Sequence, residues 1–251
     1  MMTLGVAIPT FSGHIHKLSR LLDWLDDSTV RPSQVSVSVS SCCQLELKRA
    51  YRFELIVSLS SHYKNPAQNR NLAASRLDTD IISFMDGDDL PHPQRNEFVL
   101  EAFRNEEIAA LVHNYHFAKL RPLGKISKRA LMGTVKYLFL GKEWMKIPIR
   151  ELHLPTGVLE NRFFKTRYAK ATVTVGSISL ISDKHPFPVN SASTQAYHCA
   201  HISMKRDLFN QFKFDEREDL KYREDSSFCK RLVEGGGKLS HIGEKLSLYL
   251  K

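Results

Sequence analysis

The alternation of short apolar runs with amphipathic stretches predicts an α/β fold, a parallel sheet covered by helices on both faces. Two observations carry that expectation. The first 85 residues read as four strands separated by helical segments. The fourth strand, Asp80-Ile-Ile-Ser-Phe-Met85, then ends abruptly in three carboxylates, Asp86-Gly-Asp88-Asp89. Open α/β sheets bind ligands beyond the carboxyl ends of their strands, so an acidic loop at that position marks a candidate site.

Leu4-Gly-Val-Ala-Ile8 forms the first predicted strand, stopped by Pro9 and the turn formers Ser12-Gly13. Ile15, Leu18, Leu21, Leu22 and Leu25 recur at helical spacing and end near Asp26-Asp27-Ser28. Gln34-Val-Ser-Val-Ser-Val-Ser40 alternates strictly, which puts Val35, Val37 and Val39 on one face of a second strand. A short helix through Leu45, Leu47 and Ala50 is expected before a third strand, Phe53–Leu59. Pro66 suits a first helical position and opens a helix to Leu77. Beyond the acidic loop, Pro91 and Pro93 precede a helix to about Arg104, and Ile108–Val112 reads as a strand. Thr172–Ile181 alternates weakly, Tyr197–Met204 reads as a strand entering a helix at Lys205–Gln211, and a last helix runs from about Glu224 to Glu234, ended by Gly235-Gly236-Gly237. Asp225 shares a helical stripe with Cys229 and Leu232 and so points toward the fold.

With 251 residues, 42% hydrophobic and 10% aromatic, the chain can bury a sizeable core. No apolar run approaches the roughly 20 residues of a membrane span, and the start, Met-Met-Thr-Leu-Gly-Val, lacks a basic n-region and long h-region, so a cytoplasmic location is expected. The four cysteines show neither a CxxC pair nor zinc spacing, so reduced thiols are expected. The net charge of +9 is concentrated: His113–Arg150 holds nine basic residues against Glu143 alone, a local +8. Such a run is either a solvated face or a surface for an anionic partner, with residues 119–150 suited to a membrane surface or a nucleic acid. Ser127–Lys146 has the pattern of a basic amphipathic helix.

Carboxylates in the Asp86–Asp89 loop suit a hard cation such as Mg²⁺ or Mn²⁺, which shares its ligands with substrate phosphates. A calcium loop is excluded: with Asp86 at its first position, Pro91 would occupy the required glycine. Glu224-Asp225 would favour a helix start through the macrodipole alone. Combined with the acidic loop, it also supplies the carboxylate base that sugar transfer to a hydroxyl requires. His14 and His16 have no partner at metal spacing and are expected to be surface or capping residues.

In order along the chain, Ile8-Pro9-Thr10-Phe11, Asn69-Arg70-Asn71-Leu-Ala-Ala, Phe84-Met-Asp86-Gly-Asp88-Asp89, Phe214-Asp-Glu and Arg223-Glu224-Asp225-Ser-Ser-Phe-Cys-Lys-Arg-Leu232 resemble the family 2 glycosyltransferases. The resemblance covers about residues 4–104 and 197–250. It implies the GT-A fold, a Rossmann-like, mostly parallel central sheet with helices on both faces and a smaller mixed sheet on the acceptor side. It also implies one domain: a donor half at residues 1–112, a basic insertion at 113–170 and an acceptor and catalytic half at 171–251.

The activity implied is an inverting, metal-assisted transfer from a nucleotide-diphosphate sugar, a UDP-sugar being favoured. Asp88 would bind Mn²⁺ or Mg²⁺ under the diphosphate, and Asp86 would contact the ribose or the metal shell. Pro9, Thr10, Arg70 and Asn71 would lie by the nucleotide. Asp225 would be the catalytic base, with Glu224 its acidic neighbour.

Two departures from the family pattern stand out. Ser38-Val39-Ser40-Ser41-Cys42 lacks the usual acid that reads the nucleobase. The chain also ends at Lys251, where many relatives continue to a metal-binding His, which leaves His198, His201 and His241 as candidates. The expected acceptor is a glycan or lipid-linked sugar at a membrane surface. The alternatives are a modified DNA base, a nucleotidyltransferase, or an inactive nucleic-acid binder built on the same core.

Overall fold

The computed structural model describes residues 1–47, 49–120, 171–175, 178–182, 201–220, 224–235 and 239–250. A mixed sheet organises them. Its first four strands, β1 (Leu4–Phe11), β2 (Gln34–Ser40), β3 (Glu54–Leu59) and β4 (Ile81–Phe84), stand in the order β3-β2-β1-β4 and are all parallel. β5 (Leu90–Pro91), β6 (Ala110–Leu120), β9 (Ile202–Lys205) and β10 (Leu239–Leu250) extend the sheet as β9-β6-β10-β5. β9 runs antiparallel between β4 and β6, whereas β10 is parallel to β6. β7 (Ala171–Val175) and β8 (Ile178–Ser182) form an antiparallel pair attached to the far end of β6. This is the expected architecture of a parallel sheet that passes into a smaller mixed one.

Alternation along the strands separates the two cores. Leu4, Val6 and Ile8 of β1 and Val35, Val37 and Val39 of β2 face α1 (Ile15–Asp26) and α3 (Arg95–Ala102), packing with Leu18, Leu22, Phe98 and Val99. The opposite face carries Ala7, Ile82 and Phe84 against Ala67, Ala73 and Ala74 of α2 (Pro66–Ser75). Phe209 of α4 (Arg206–Gln211) and Phe228, Cys229 and Leu232 of α5 (Glu224–Glu234) complete that core. Small residues let α2 and the segment that follows it lie close. A Cβ on Gly5 would meet Thr79 Oγ1 at 2.6 Å, and Ser38, fully buried on the α2 side of β2, donates to Asn69 Oδ1 at 2.7 Å.

α2 starts where Pro66 predicts. Asn65 caps it: its side chain accepts from Gln68 N at 2.9 Å while its own N–H donates to Gln68 Oε1 at 3.0 Å, a reciprocal capping box.

The short helix expected through Leu45, Leu47 and Ala50 does not form among the described residues. That segment is an irregular crossover held by charge. Arg49 pairs with Asp23 at 2.8 Å and Asp26 at 2.9 Å, and Arg52 donates to both the Asp26 carboxylate and its carbonyl. Leu45 and Leu47 still pack against the core from an irregular backbone.

The single weak strand expected over Thr172–Ile181 is resolved into the two-stranded unit β7-β8. β6 runs past Val112 as far as Leu120, through the 112/113 boundary expected between donor half and basic insertion. The basic helix expected at Ser127–Lys146 lies outside the described residues. Among the described residues no helix is long and apolar enough to cross a membrane.

Candidate active site

β1, β2 and β4 are parallel, so their carboxyl ends Phe11, Ser40 and Phe84 lie on one side of the molecule. A cleft of about 550 Å³ opens there. Its walls are Pro9, Thr10 and Phe11 from β1 and Ser40 from β2. Tyr63, Lys64 and Pro66 come from the approach to α2, Asn69 and Arg70 from α2 itself, and Asp86, Gly87 and Asp88 from the loop after β4. Phe11 and Tyr63 are exposed aromatic rings at its rim.

The acidic loop is fixed from three directions. Arg70 Nη2 donates to Asp86 Oδ1 at 3.0 Å. Lys17 Nζ donates to Asp88 Oδ2 at 3.2 Å, and Arg20 Nη2 to the Asp88 carbonyl at 3.3 Å. His14 Nδ1 stands 3.7 Å from the same Asp88 oxygen. His14, Lys17 and Arg20 recur every three residues along the start of α1, which brings all three to the loop. Burial lowers the His14 pKa, and Asp88 opposes that shift. Burial likewise lowers the pKa of Arg20. The Asp86 and Asp88 side chains remain 27% and 24% exposed, open to a ligand in the cleft.

Arg70 reaches in a second direction. Its Nη1 donates to Glu224 Oε1 at 2.5 Å, joining α2 to the first turn of α5 across 154 residues of sequence. Both side chains are 8% exposed. Burial raises the Glu224 pKa, and the Arg70 guanidinium pulls against that rise. Next to Glu224, Asp225 is half-buried, while Cys229 and Leu232 on its stripe are buried as expected. The result is a continuous chain of charge, Asp86–Arg70–Glu224, running from the acidic loop to the residue before Asp225.

Comparison with known proteins bears on this arrangement. A family model for glycosyl transferase family 2 matches residues 45–166. That span takes in Arg70, Asp86 and Asp88. Over that span, just under half of the chain, the sequence is similar to the family 2 glycosyltransferases. No curated protein matches the sequence.

Solved structures with the same fold include S. aureus TarS 1-349 in complex with UDP, at 15% identity and a TM-score of 0.58 over 100% of this chain and 61% of that one. TarS 1-349 in complex with UDP-GlcNAc is similar at 16% identity and a TM-score of 0.58, covering 100% and 59%. A longer TarS structure aligns at 17% identity and a TM-score of 0.57, covering 100% of this chain and 37% of that one. The chain thus spans about 60% of the length of the two TarS 1-349 structures.

Within this fold, Pro9, Thr10, Arg70, Asp86 and Asp88 line one cleft, and Glu224 joins them through Arg70. Asn71 stands elsewhere. Its amide donates to the Phe214 carbonyl at 2.9 Å and to Glu216 Oε1 at 2.8 Å, while its oxygen accepts from Phe214 N at 2.9 Å, so it ties α2 to the segment before α5. Ser40 lines the cleft at the end of β2, where the family usually has an acid, and Ser41 turns away at φ 53°.

His201 is buried with its ring 5.2 Å from that of His113, and neither residue lines the cleft. His198 lies outside the described residues, and the side chain of His241 is not described. His14 stands at the N-cap of α1, as the expectation of a surface or capping residue allows, and in addition comes within 3.7 Å of Asp88. Its three-residue spacing to Lys17 and Arg20 was the available signal; what hid it was that the acidic partner lies more than 70 residues away.

Proposed function

We propose that this chain transfers a sugar from a nucleotide-diphosphate donor to an acceptor hydroxyl, with inversion. One observation carries the proposal: Asp86 and Asp88 line the cleft at the carboxyl edge of the sheet, and Arg70 links that loop to Glu224, the neighbour of Asp225. UDP and UDP-GlcNAc in the TarS structures of the same fold support a UDP-sugar as the donor.

Asp225 takes the proton of the acceptor hydroxyl, whose oxygen attacks the anomeric carbon from the face opposite the nucleotide. The bond from that carbon to the diphosphate oxygen breaks, and the nucleoside diphosphate leaves with the electron pair. Lys64 lines the cleft and favours its charge. Phe11 and Tyr63 offer rings at the rim for the nucleobase.

Two part-exposed carboxylates suit a divalent ion that takes its remaining ligands from phosphate and water, so the donor set fits Mn²⁺ or Mg²⁺ at Asp88 and Asp86. Among the described residues no group of three or more His, Cys, Asp or Glu could hold a metal by itself. When bound, the ion offsets negative charge on the departing diphosphate.

The deciding experiment screens UDP-, GDP-, CDP- and dTDP-sugars, with and without Mn²⁺, for thermal stabilisation and nucleoside diphosphate release. A UDP-sugar is expected to raise the melting temperature and release UDP. A chain that neither binds nor cleaves any of the four donors refutes the activity and favours an inactive binder. The acceptor is proposed to be a glycan or lipid-linked sugar. Salt-dependent pelleting with anionic liposomes, without retention on duplex DNA, is the expected result.

A further inference from the structure

Arg70 is doubly committed within the cleft wall, one guanidinium nitrogen on Asp86 at 3.0 Å and the other on Glu224 at 2.5 Å. Besides a hydrogen bond from its own backbone N–H, the Glu224 carboxylate is held by Arg70 through Oε1, and Oε2 is buried with no partner among the described residues. The surroundings confine the guanidinium further. Its carbon lies 6.0 Å above the Phe214 ring, which stacks at 4.4 Å on Phe228 of α5, and neighbouring Asn71 pins the Phe214 backbone at both its N–H and its carbonyl. Two adjacent residues of α2 therefore hold this part of the chain, Asn71 gripping the segment before α5 through the Phe214 backbone and Arg70 gripping the first turn of α5 through charge. Only the Arg70 grip also reaches the acidic loop.

We infer that Arg70 is a positioning residue whose bridge between Asp86 and Glu224 sets where Asp225 stands relative to the donor. The inference rests on the proposed function above. Its physical basis is the geometry of arginine: a planar fork can hold two carboxylates at fixed separation, whereas the ammonium of lysine is a single point charge. Buried ion pairs contribute little net stability compared with apolar packing, so geometric constraint is the better account of this one. Glu224 and Asp225 share the first turn of one helix, so a shift of Glu224 carries Asp225 with it. Misplacing a reacting group by about 1 Å costs on the order of 100-fold in rate.

The test is a double-mutant cycle in the full chain, with Arg70→Gln, Glu224→Gln and the pair, plus Arg70→Lys and, as a control on the base, Asp225→Asn. UDP release from UDP-GlcNAc gives kcat and KM, and hydrogen exchange follows the backbone amides of α5. Glu224→Gln is expected to lower kcat about 10-fold with KM within about twofold, the signature of a lost transition-state arrangement. Arg70→Gln lowers kcat about 100-fold and also raises KM, because it releases Asp86 as well. The double variant is no worse than Arg70→Gln alone, and Arg70→Lys recovers less than about a tenth of the lost rate. In both Arg70 variants exchange quickens in the first turn of α5 but not in α1.

Losses that multiply in the double variant, full activity in Arg70→Lys, or α5 exchange unchanged in Arg70→Gln would each overturn the inference. Exchange requires no turnover, so the bridge is tested even if UDP-GlcNAc is not cleaved. Turnover retained by Asp225→Asn rejects the base assignment instead, a failure that leaves the exchange result intact.

Discussion

Gly87 separates the two carboxylates of the cleft, and its lack of a side chain is a requirement of the loop. A Cβ there would lie 2.7 Å from Thr10 Oγ1 and 2.9 Å from Thr10 Cβ. Forcing an extra carbon into such a contact costs about 1–3 kcal/mol, so Gly87→Ala is expected to weaken UDP binding about tenfold, read by equilibrium titration with Mn²⁺. Asp88→Ala and Asp225→Asn test the two ends of the site. Each is expected to lower transfer at least about 100-fold while thermal melting shows an intact fold. Asp88→Ala relieves Lys17 of its carboxylate, and both groups are accessible enough that the loss is felt in function before stability. Normal turnover by purified Asp225→Asn would remove it from the mechanism.

At the scale of elements, α1 has two separate tasks, one at each end. Its start presents His14, Lys17 and Arg20 to the acidic loop, and its end holds Asp23 and Asp26 against Arg49 and Arg52. Burial would raise the Asp26 pKa, but hydrogen bonds from Arg52 N–H and from the Arg52 and Arg49 side chains outweigh it and leave the group below its ordinary value. A carboxyl depressed on folding contributes stability above its unfolded pKa and loses it as pH falls through the folded one. Asp26→Asn is therefore expected to cost about 2 kcal/mol at neutral pH. In urea denaturation the difference from wild type should shrink as the pH falls through the acid range. A difference independent of pH would show that packing, and not charge, holds the irregular crossover between β2 and β3.

For the whole molecule, the junction between the parallel strands and the mixed half depends on a buried cation. Arg95 of α3 is fully buried, with Nε donating to His113 Nε2 of β6 at 2.8 Å and Nη2 to the Phe84 carbonyl of β4 at 2.9 Å. Burial lowers its pKa to about 10, so it stays protonated at neutral pH. Removing it takes a charged donor from both His113 and the Phe84 carbonyl, and Arg95→Met is expected to cost about 3 kcal/mol, measured by chemical denaturation. The succession of the first four strands, the face of each valine in β2, the start of α2 at Pro66 and the acidic loop at the end of β4 were all legible in the sequence. Each depends on local periodicity or on residues a few positions apart. The same is true of the motifs that resemble the family.

Three features were not legible: the irregular backbone of the described residues before β3, the approach of His14 and Lys17 to Asp88, and the placing of Asn71 outside the cleft lining. Each is decided by a partner more than 20 residues away: Asp23 and Asp26 for Arg49, Asp88 for Lys17, Phe214 for Asn71. The sequence by itself determined an α/β chain with carboxylates at a strand end and a second acidic pair far along the chain. Only the tertiary structure decided that Arg70 joins the two, because an ion pair across 154 residues leaves no periodic trace and exists only once α2 and α5 pack on the same face of the sheet.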